Sequence, residues 1–227
     1  MDKFWEFRQD ARKQDTLELY VYSTVESDKW WKESETSASH FRDELAKHPN
    51  AKEIKVYINS LGGSVMEGIA IYNQLKRHAA HKTVYIDGFA CSIASVIAMA
   101  GDTVVMPKNS VMMIHNAWTI ALGNAAELRK AADDLDVVNN ASRQAYLEKA
   151  GDKLTEEKLT ELLDAETYLS AGQCMELGLA DCFEEQEKPD SRSEREQQLS
   201  AAMQERMRQE LEQRRAKAVA CIIRYFK

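Results

Sequence analysis

Glycine and proline are scarce in this chain, at 9 and 3 of 227 residues. That scarcity excludes collagen-like and linker-type sequences, and a hydrophobic share of 44% argues against wholesale disorder. No CxxC pair occurs: Cys91, Cys174, Cys182 and Cys221 are dispersed, which disfavours a zinc ribbon or a dithiol redox pair. There is no basic block, and 37 acidic residues against 30 basic ones leave a net charge of −7. Nucleic acid is therefore set aside as a principal partner, because neutralising phosphates needs clustered Lys and Arg. Long hydrophobic runs are also missing. The longest small and apolar stretch, residues 90–100, is too short to span a bilayer and carries two serines. The opening MDKFWEFRQDARKQD lacks the apolar segment of a secretory signal. A soluble intracellular protein with reduced thiols is the expectation.

What is present divides into three zones. Residues 1–16 form a charged, aromatic N-terminal segment without a clear period. Residues 17–183 alternate short β-type runs with helical patterns, and residues 184–227 are a charged, helix-prone tail. The length suits one domain with an appendage, large enough to bury a core without disulfide or metal staples.

In the middle zone, residues 17–22 (LELYVY), 54–58 (IKVYI), 83–86 (TVYI), 104–105 and 111–114 (VMMI) read as strands. Residues 38–48, with Phe41 and Leu45 on one face, read as a helix stopped by Pro49. Val65, Ile69, Tyr72 and Leu75 recur at helical spacing. Gly88 is expected to close the 83–86 strand, with a small-residue helix beginning near Ser92. Residues 124–150 read as one long helix carrying Leu128, Ala132, Leu135, Val138 and Ala145 towards one side, broken at Gly151. A helix from Thr155, a run at 167–169 and a last helix capped by Ser170 and ended by Gly178 complete the zone. Strands alternating with helices imply right-handed βαβ crossovers, so the class is α/β with a mainly parallel sheet. In the tail, Leu199, Met203, Met207 and Leu211 fall four apart on a charged helix, and Val219, Ile222, Ile223 and Phe226 form a second apolar cluster. The tail reads as a helix leaning on its own domain or a sister subunit, or as a docking helix.

Two strand-to-helix junctions could carry chemistry. Residues 59–64 (NSLGGS) pair two glycines after a strand, which lets the backbone approach a ligand and turn its N–H groups outward. The spacing matches neither a P-loop nor a dinucleotide fingerprint. Residues 88–95 (GFACSIAS) put Ser92 at the start of a helix, where orphan N–H groups favour a developing anion. Ser92 reads either as an N-cap or as a nucleophile; Cys91 is a rival, but its neighbours suggest a buried small residue. Of five histidines, His40, His48, His78 and His81 sit in polar helical stretches, whereas His115 follows an apolar strand. Strand ends in parallel sheets are where sites form. Asp164 and Glu166 are candidates for a carboxylate that would orient the imidazole, and spacing does not choose between them.

Taken together, residues 58–65 (INSLGGSV), 88–95 (GFACSIAS) and 111–115 (VMMIH) resemble the ClpP serine peptidases in order and spacing. Residues 166–171 (ETYLSA) and 176–181 (ELGLAD) are similar to that family's closing motif. The resemblance covers residues 17–183 and implies a ClpP/crotonase-like spiral of βαβ units with a long handle helix. It places Ser92 on the nucleophile, His115 on the general base, and Gly63 and Ile93 on the oxyanion-hole N–H groups. The acid position falls on Glu166, where most members carry Asp, with Asp164 as fallback. Leu61 replaces the usual proline of the glycine turn.

The ELY strand, Trp30-Trp31, the IHNAW run at 114–118 and the DAET run at 164–167 resemble head maturation proteases of phages and prophages. That likeness implies cleavage of capsid or scaffold proteins by a ring-forming homo-oligomer in the cytoplasm, of the host if phage-encoded. It implies no metal or cofactor. The alternatives are a Clp-type proteolytic subunit fed by an ATP-driven AAA+ unfoldase, a crotonase-type enzyme acting on acyl-CoA, and a non-catalytic assembly protein with a vestigial triad.

Overall fold

The computed structural model describes residues 4–10, 13–26 and 37–184. Trp30-Trp31, both apolar clusters of the tail and Cys221 lie outside the described residues.

In chain order the elements are β1 (Trp5–Gln9), β2 (Thr16–Tyr22), α1 (Ala38–Leu45), β3 (Glu53–Ser60), α2 (Val65–Arg77), β4 (His81–Cys91) and α3 (Ile93–Ala98). They continue with β5 (Thr103–Met106), β6 (Val111–Ile114), α4 (Ala125–Ala150), α5 (Glu156–Asp164), β7 (Thr167–Ser170), α6 (Ala171–Glu176) and β8 (Cys182–Phe183). The sheet is mixed α/β architecture: its path runs β1-β2-β3-β4-β5-β8, and β6 branches from β4 to pair with β7. The β1–β2 and β6–β7 pairs are antiparallel; the pairs of β2 to β5, β4 with β6, and β5 with β8 are parallel.

Alternation along β2, β3 and β4 sends Leu17, Leu19, Val21, Ile54, Val56, Ile58, Val84 and Ile86 into the helix-covered core. The opposite face carries Tyr20, Tyr57 and Tyr85 in register, with ring centroids 4.9 and 5.1 Å apart. Helix ends follow local chemistry. Asn124 with Glu127, and Ser170 with Gln173, form capping boxes, and Thr155 caps α5.

Four expectations are corrected. The first residues contain a strand: Phe4 and Trp5 are buried, and β1 pairs along β2. Its five residues span too little chain for alternation to register as a period. Secondly, β4 continues through Gly88 to Cys91, because the strand changes partner there, from β5 at 83–85 to β6 at 89–91. Thirdly, α2 buries Gly68, Ile71, Tyr72 and Leu75, while Val65 and Ile69 are only partly covered. Gly68 is where Ile93 of α3 rests, which rotates the helix. Lastly, the apolar side of α4 is mostly uncovered in the single chain. Leu128 and Val137 are exposed, and burial is confined to Asn139, Ala145, Tyr146 and Ala150. A helix of 26 residues is about 39 Å long, so its first half projects beyond the sheet.

Gly68 and Gly172 look alike as helical glycines, but their surroundings differ. A Cβ on Gly68 would lie 2.1 Å from Ile93 Cγ1, whereas the nearest atom to one on Gly172 is Ser170 Oγ at 4.0 Å. Gly68→Ala should lower the unfolding free energy by about 1–3 kcal/mol through overpacking. Gly172→Ala should leave it unchanged or raise it by up to about 1 kcal/mol. Urea denaturation of the two variants checks both signs.

Candidate active site

The branch of the sheet at β4 builds the site. Cys91 pairs with Met113 across the parallel β4–β6 ladder, and Ser92 N–H donates to the Met113 carbonyl at 2.8 Å. Two adjacent parallel strands thus end side by side, and the next residues on each are free to converge. Ser92 Oγ and His115 Nε2 are 2.8 Å apart, both half-buried. Ser92 holds φ 55° and ψ −129°, a region that costs a non-glycine residue of the order of 1–3 kcal/mol. It immediately precedes α3 but makes no side-chain cap on that helix. The serine hydroxyl therefore meets the imidazole and not the helix N-terminus.

Cys91 points away from this chemistry. It is buried, and burial pushes its thiol up to about 12, so the thiolate is not formed near neutral pH. The remaining histidines lie elsewhere. His40 packs near Trp5 and His48 near Phe7, while His78 Nδ1 accepts from Ala80 N–H and His81 sits beside Asp102.

The glycine turn after β3 abuts the serine. Gly62 and Gly63 have φ of 89° and 149°, conformations that favour glycine. A Cβ on Gly62 would lie 2.6 Å from the Cys91 carbonyl oxygen and 2.7 Å from Ser92 Cβ. The Gly62 carbonyl accepts from Val25 N–H at 2.8 Å, and Ser64 N–H donates to the Val25 carbonyl at 2.6 Å. Between them, Gly63 N–H has no acceptor among the described residues, and neither has Ile93 N–H. Leu61 in place of proline leaves this turn intact. Ser60 locks it, donating to the Ser23 carbonyl and accepting from Gly62 N–H at 3.1 Å. Asn59 bridges β3 to β4 at a register shift by accepting from Phe89 N–H at 3.2 Å.

The carboxylates arrive on β7. Ile114 pairs with Thr167 at the end of the antiparallel β6–β7 ladder, so His115 and Glu166 are the next residue on each side of that last pair. Glu166 has φ 48° and is exposed. Asp164, the last residue of α5, has a different partner: its Oδ1 accepts from Asn116 Nδ2 at 2.7 Å. Asn116 Oδ1 in turn accepts from Arg143 Nη2 of α4 at 3.4 Å. Asp164 therefore steadies the residue after the histidine.

A family model described as Clp protease matches residues 34–187. The chain belongs to the Clp protease family. It is 32% identical over 133 residues to the ATP-dependent Clp protease proteolytic subunit of Ligilactobacillus salivarius (strain UCC118), an overlap of 57% of this chain and 66% of that one. It is 31% identical over 133 residues to the protein of the same name from Chlorella vulgaris, covering 57% and 65%. The chain spans just under two thirds of the length of these curated relatives.

Within this Clp-family chain, the fold gathers Ser92, His115, Gly63 and Ile93 at one end of the sheet, and the β6–β7 ladder ends one residue short of His115 and Glu166. Arg143 and Tyr146 shape the same region and were not marked in the sequence, whereas Asn59, Ser60, Ser95 and Asn116 fell inside the quoted motifs without a role of their own. Their signal is tertiary: each acts across 20 or more residues or inside a turn that only the glycines announce. No helix among the described residues is long and apolar enough to cross a membrane.

Because Cys91 is buried and protonated, Cys91→Ala should retain Ser92 labelling by a fluorophosphonate within a few-fold of the parent. Iodoacetamide at pH 8 should modify the exposed Cys182 well before Cys91 or the buried Cys174, as read by peptide mass mapping.

Proposed function

We propose that this chain is a serine endopeptidase of the ClpP type. The observation that carries the reading is Ser92 Oγ 2.8 Å from His115 Nε2, on a serine held in a strained conformation at the start of a helix. His115 Nε2 takes the serine proton as Oγ attacks a peptide carbonyl, and returns it to the leaving amine. For Nε2 to accept, the imidazole proton resides on Nδ1, and a carboxylate must hold that tautomer. Glu166 is assigned this role: it adjoins Thr167, which pairs with Ile114 beside His115, while Asp164 is engaged by Asn116. The N–H groups of Gly63 and Ile93 receive the oxyanion; the loss of one such donor costs roughly 3–4 kcal/mol. Water then resolves the acyl-enzyme with His115 as base.

The finer reading is a head maturation protease cleaving capsid or scaffold proteins, supported by the ELY strand and the IHNAW and DAET runs. The relatives, ATP-dependent Clp protease proteolytic subunits by name, support a second reading, a proteolytic subunit supplied by an ATP-driven unfoldase. A ring-forming homo-oligomer fits either. Trp118, Ile120, Leu122, Leu128 and Val137 are exposed apolar side chains along the segment after His115 and on α4, surface that a second copy would cover. Cleavage of a co-expressed capsid or scaffold protein without nucleotide supports the first reading; cleavage only with ATP and an unfoldase supports the second.

Fluorophosphonate labelling, mapped by peptide mass, tests the chemistry. One adduct on Ser92 is expected, absent in Ser92→Ala and slowed at least about 100-fold in His115→Ala. Retained cleavage of labelled casein by Ser92→Ala would sink the assignment.

The acid is tested separately. Glu166→Gln should slow labelling by about 100-fold or more, and Asp164→Asn by less than about tenfold. The reverse order would give the role to Asp164.

A further inference from the structure

Ser95 and Tyr146 form a buried polar pair that the proposed mechanism does not use. Ser95 is 0% exposed and Tyr146 is 2% exposed. Ser95 Oγ lies 2.5 Å from the Ser92 carbonyl oxygen and 2.7 Å from Tyr146 Oη, across 51 residues of chain. The hydrogen positions follow from valence. A carbonyl oxygen only accepts, so the single Ser95 hydroxyl hydrogen goes to Ser92, and Tyr146 O–H must donate to Ser95 Oγ. The result is a directed relay from α4 through α3 to the carbonyl of the nucleophile. Ser95 N–H adds a second bond to the same carbonyl at 3.0 Å.

The carbonyl matters because of its peptide plane. In a trans peptide the C=O of one residue and the N–H of the next point in opposite directions. Drawing the Ser92 carbonyl into the interior therefore turns the Ile93 N–H outward. The Gly62 turn lies on that side: a Cβ on Gly62 would be 3.1 Å from Ile93 N. The relay also opposes rotation of Ser92 from its ψ of −129°, since a flip of this plane would break the buried Ser95 hydroxyl's bond to the carbonyl.

We propose that Ser95 and Tyr146 are positioning residues that aim the Ile93 N–H at the oxyanion by gripping the Ser92 carbonyl. The proposal rests on the serine-peptidase reading. It requires the pair to act on the tetrahedral step, with little effect on initial binding.

The test uses the full chain and a fluorophosphonate, whose phosphoryl oxygen occupies the oxyanion position, with thermal melts recorded in parallel. Ser95→Ala should lower kinact about tenfold or more, with KI changed less than twofold. Tyr146→Phe should lower kinact by a smaller factor, about threefold. The double variant should be no slower than Ser95→Ala, because the phenol acts only through the serine. Parent-like kinact in Ser95→Ala overturns the proposal. So does a loss confined to KI, or a double variant slowed by the product of the two single effects. If Ser95→Ala does not fold, Tyr146→Phe removes one hydroxyl and decides alone: a lowered kinact supports the relay and an unchanged one overturns it. Absence of any Ser92 adduct on the parent overturns the serine-peptidase reading and this inference with it. A labelled parent beside an unaffected Ser95→Ala overturns the inference only.

Discussion

The structure depends on one strand having two partners. Strand β4 pairs through its first half with β5 and through its last three residues with β6. That divided allegiance ends two parallel strands side by side, with Ser92 one residue beyond the first and His115 one residue beyond the second. The hydrogen bond from Ser92 N–H to the Met113 carbonyl carries the ladder one step past the end of β4. The antiparallel return of β7 along β6 pairs Thr167, the neighbour of Glu166, with Ile114, the neighbour of His115. Each of the three residues directly follows or precedes a strand whose pairing is fixed by register, the stiffest frame a sheet can offer.

Close approach does the rest. Gly62 and Gly63 let the β3 turn come against the serine, and Gly68 lets α2 come against Ile93. The same isoleucine thus packs on a helix through its side chain and faces the glycine turn through its backbone. Ser60 and Val25 hold the turn from the other side. Strain at Ser92 and Glu166 persists because this surrounding is over-determined, as residues with positive φ at functional positions require.

Helix α4 has two unlike halves. Its exposed first half carries Leu128 and Val137, and its second half touches the site through polar side chains. Asn139 accepts from Ala117 N–H at 2.7 Å, Arg143 reaches Asn116, and Tyr146 reaches Ser95. These three positions share one helical face, so α4 grips the segment after His115 and the start of α3 together.

Local pattern in the sequence was enough for the α/β class and for most elements. Alternation marked β2 and β3, and cap chemistry at Asn124, Thr155 and Ser170 marked three helix starts, because both are short-range effects of backbone geometry. Five-residue β1 escaped for want of length, and Gly88 was read as an end because a sequence does not show a strand changing partner. At the site, the motif strings around Gly63, Ser92 and His115 were legible as a set. Whether Ser92 was a cap or faced a base was not, although the small apolar neighbours of Cys91 already pointed to its burial. That choice depends on the β4–β6 register, which joins residues 23 positions apart. The sequence by itself determined the elements and the chemical types available. Only the tertiary structure decided which of them meet, because pairing partner, helix rotation and desolvation are properties of contacts between distant segments.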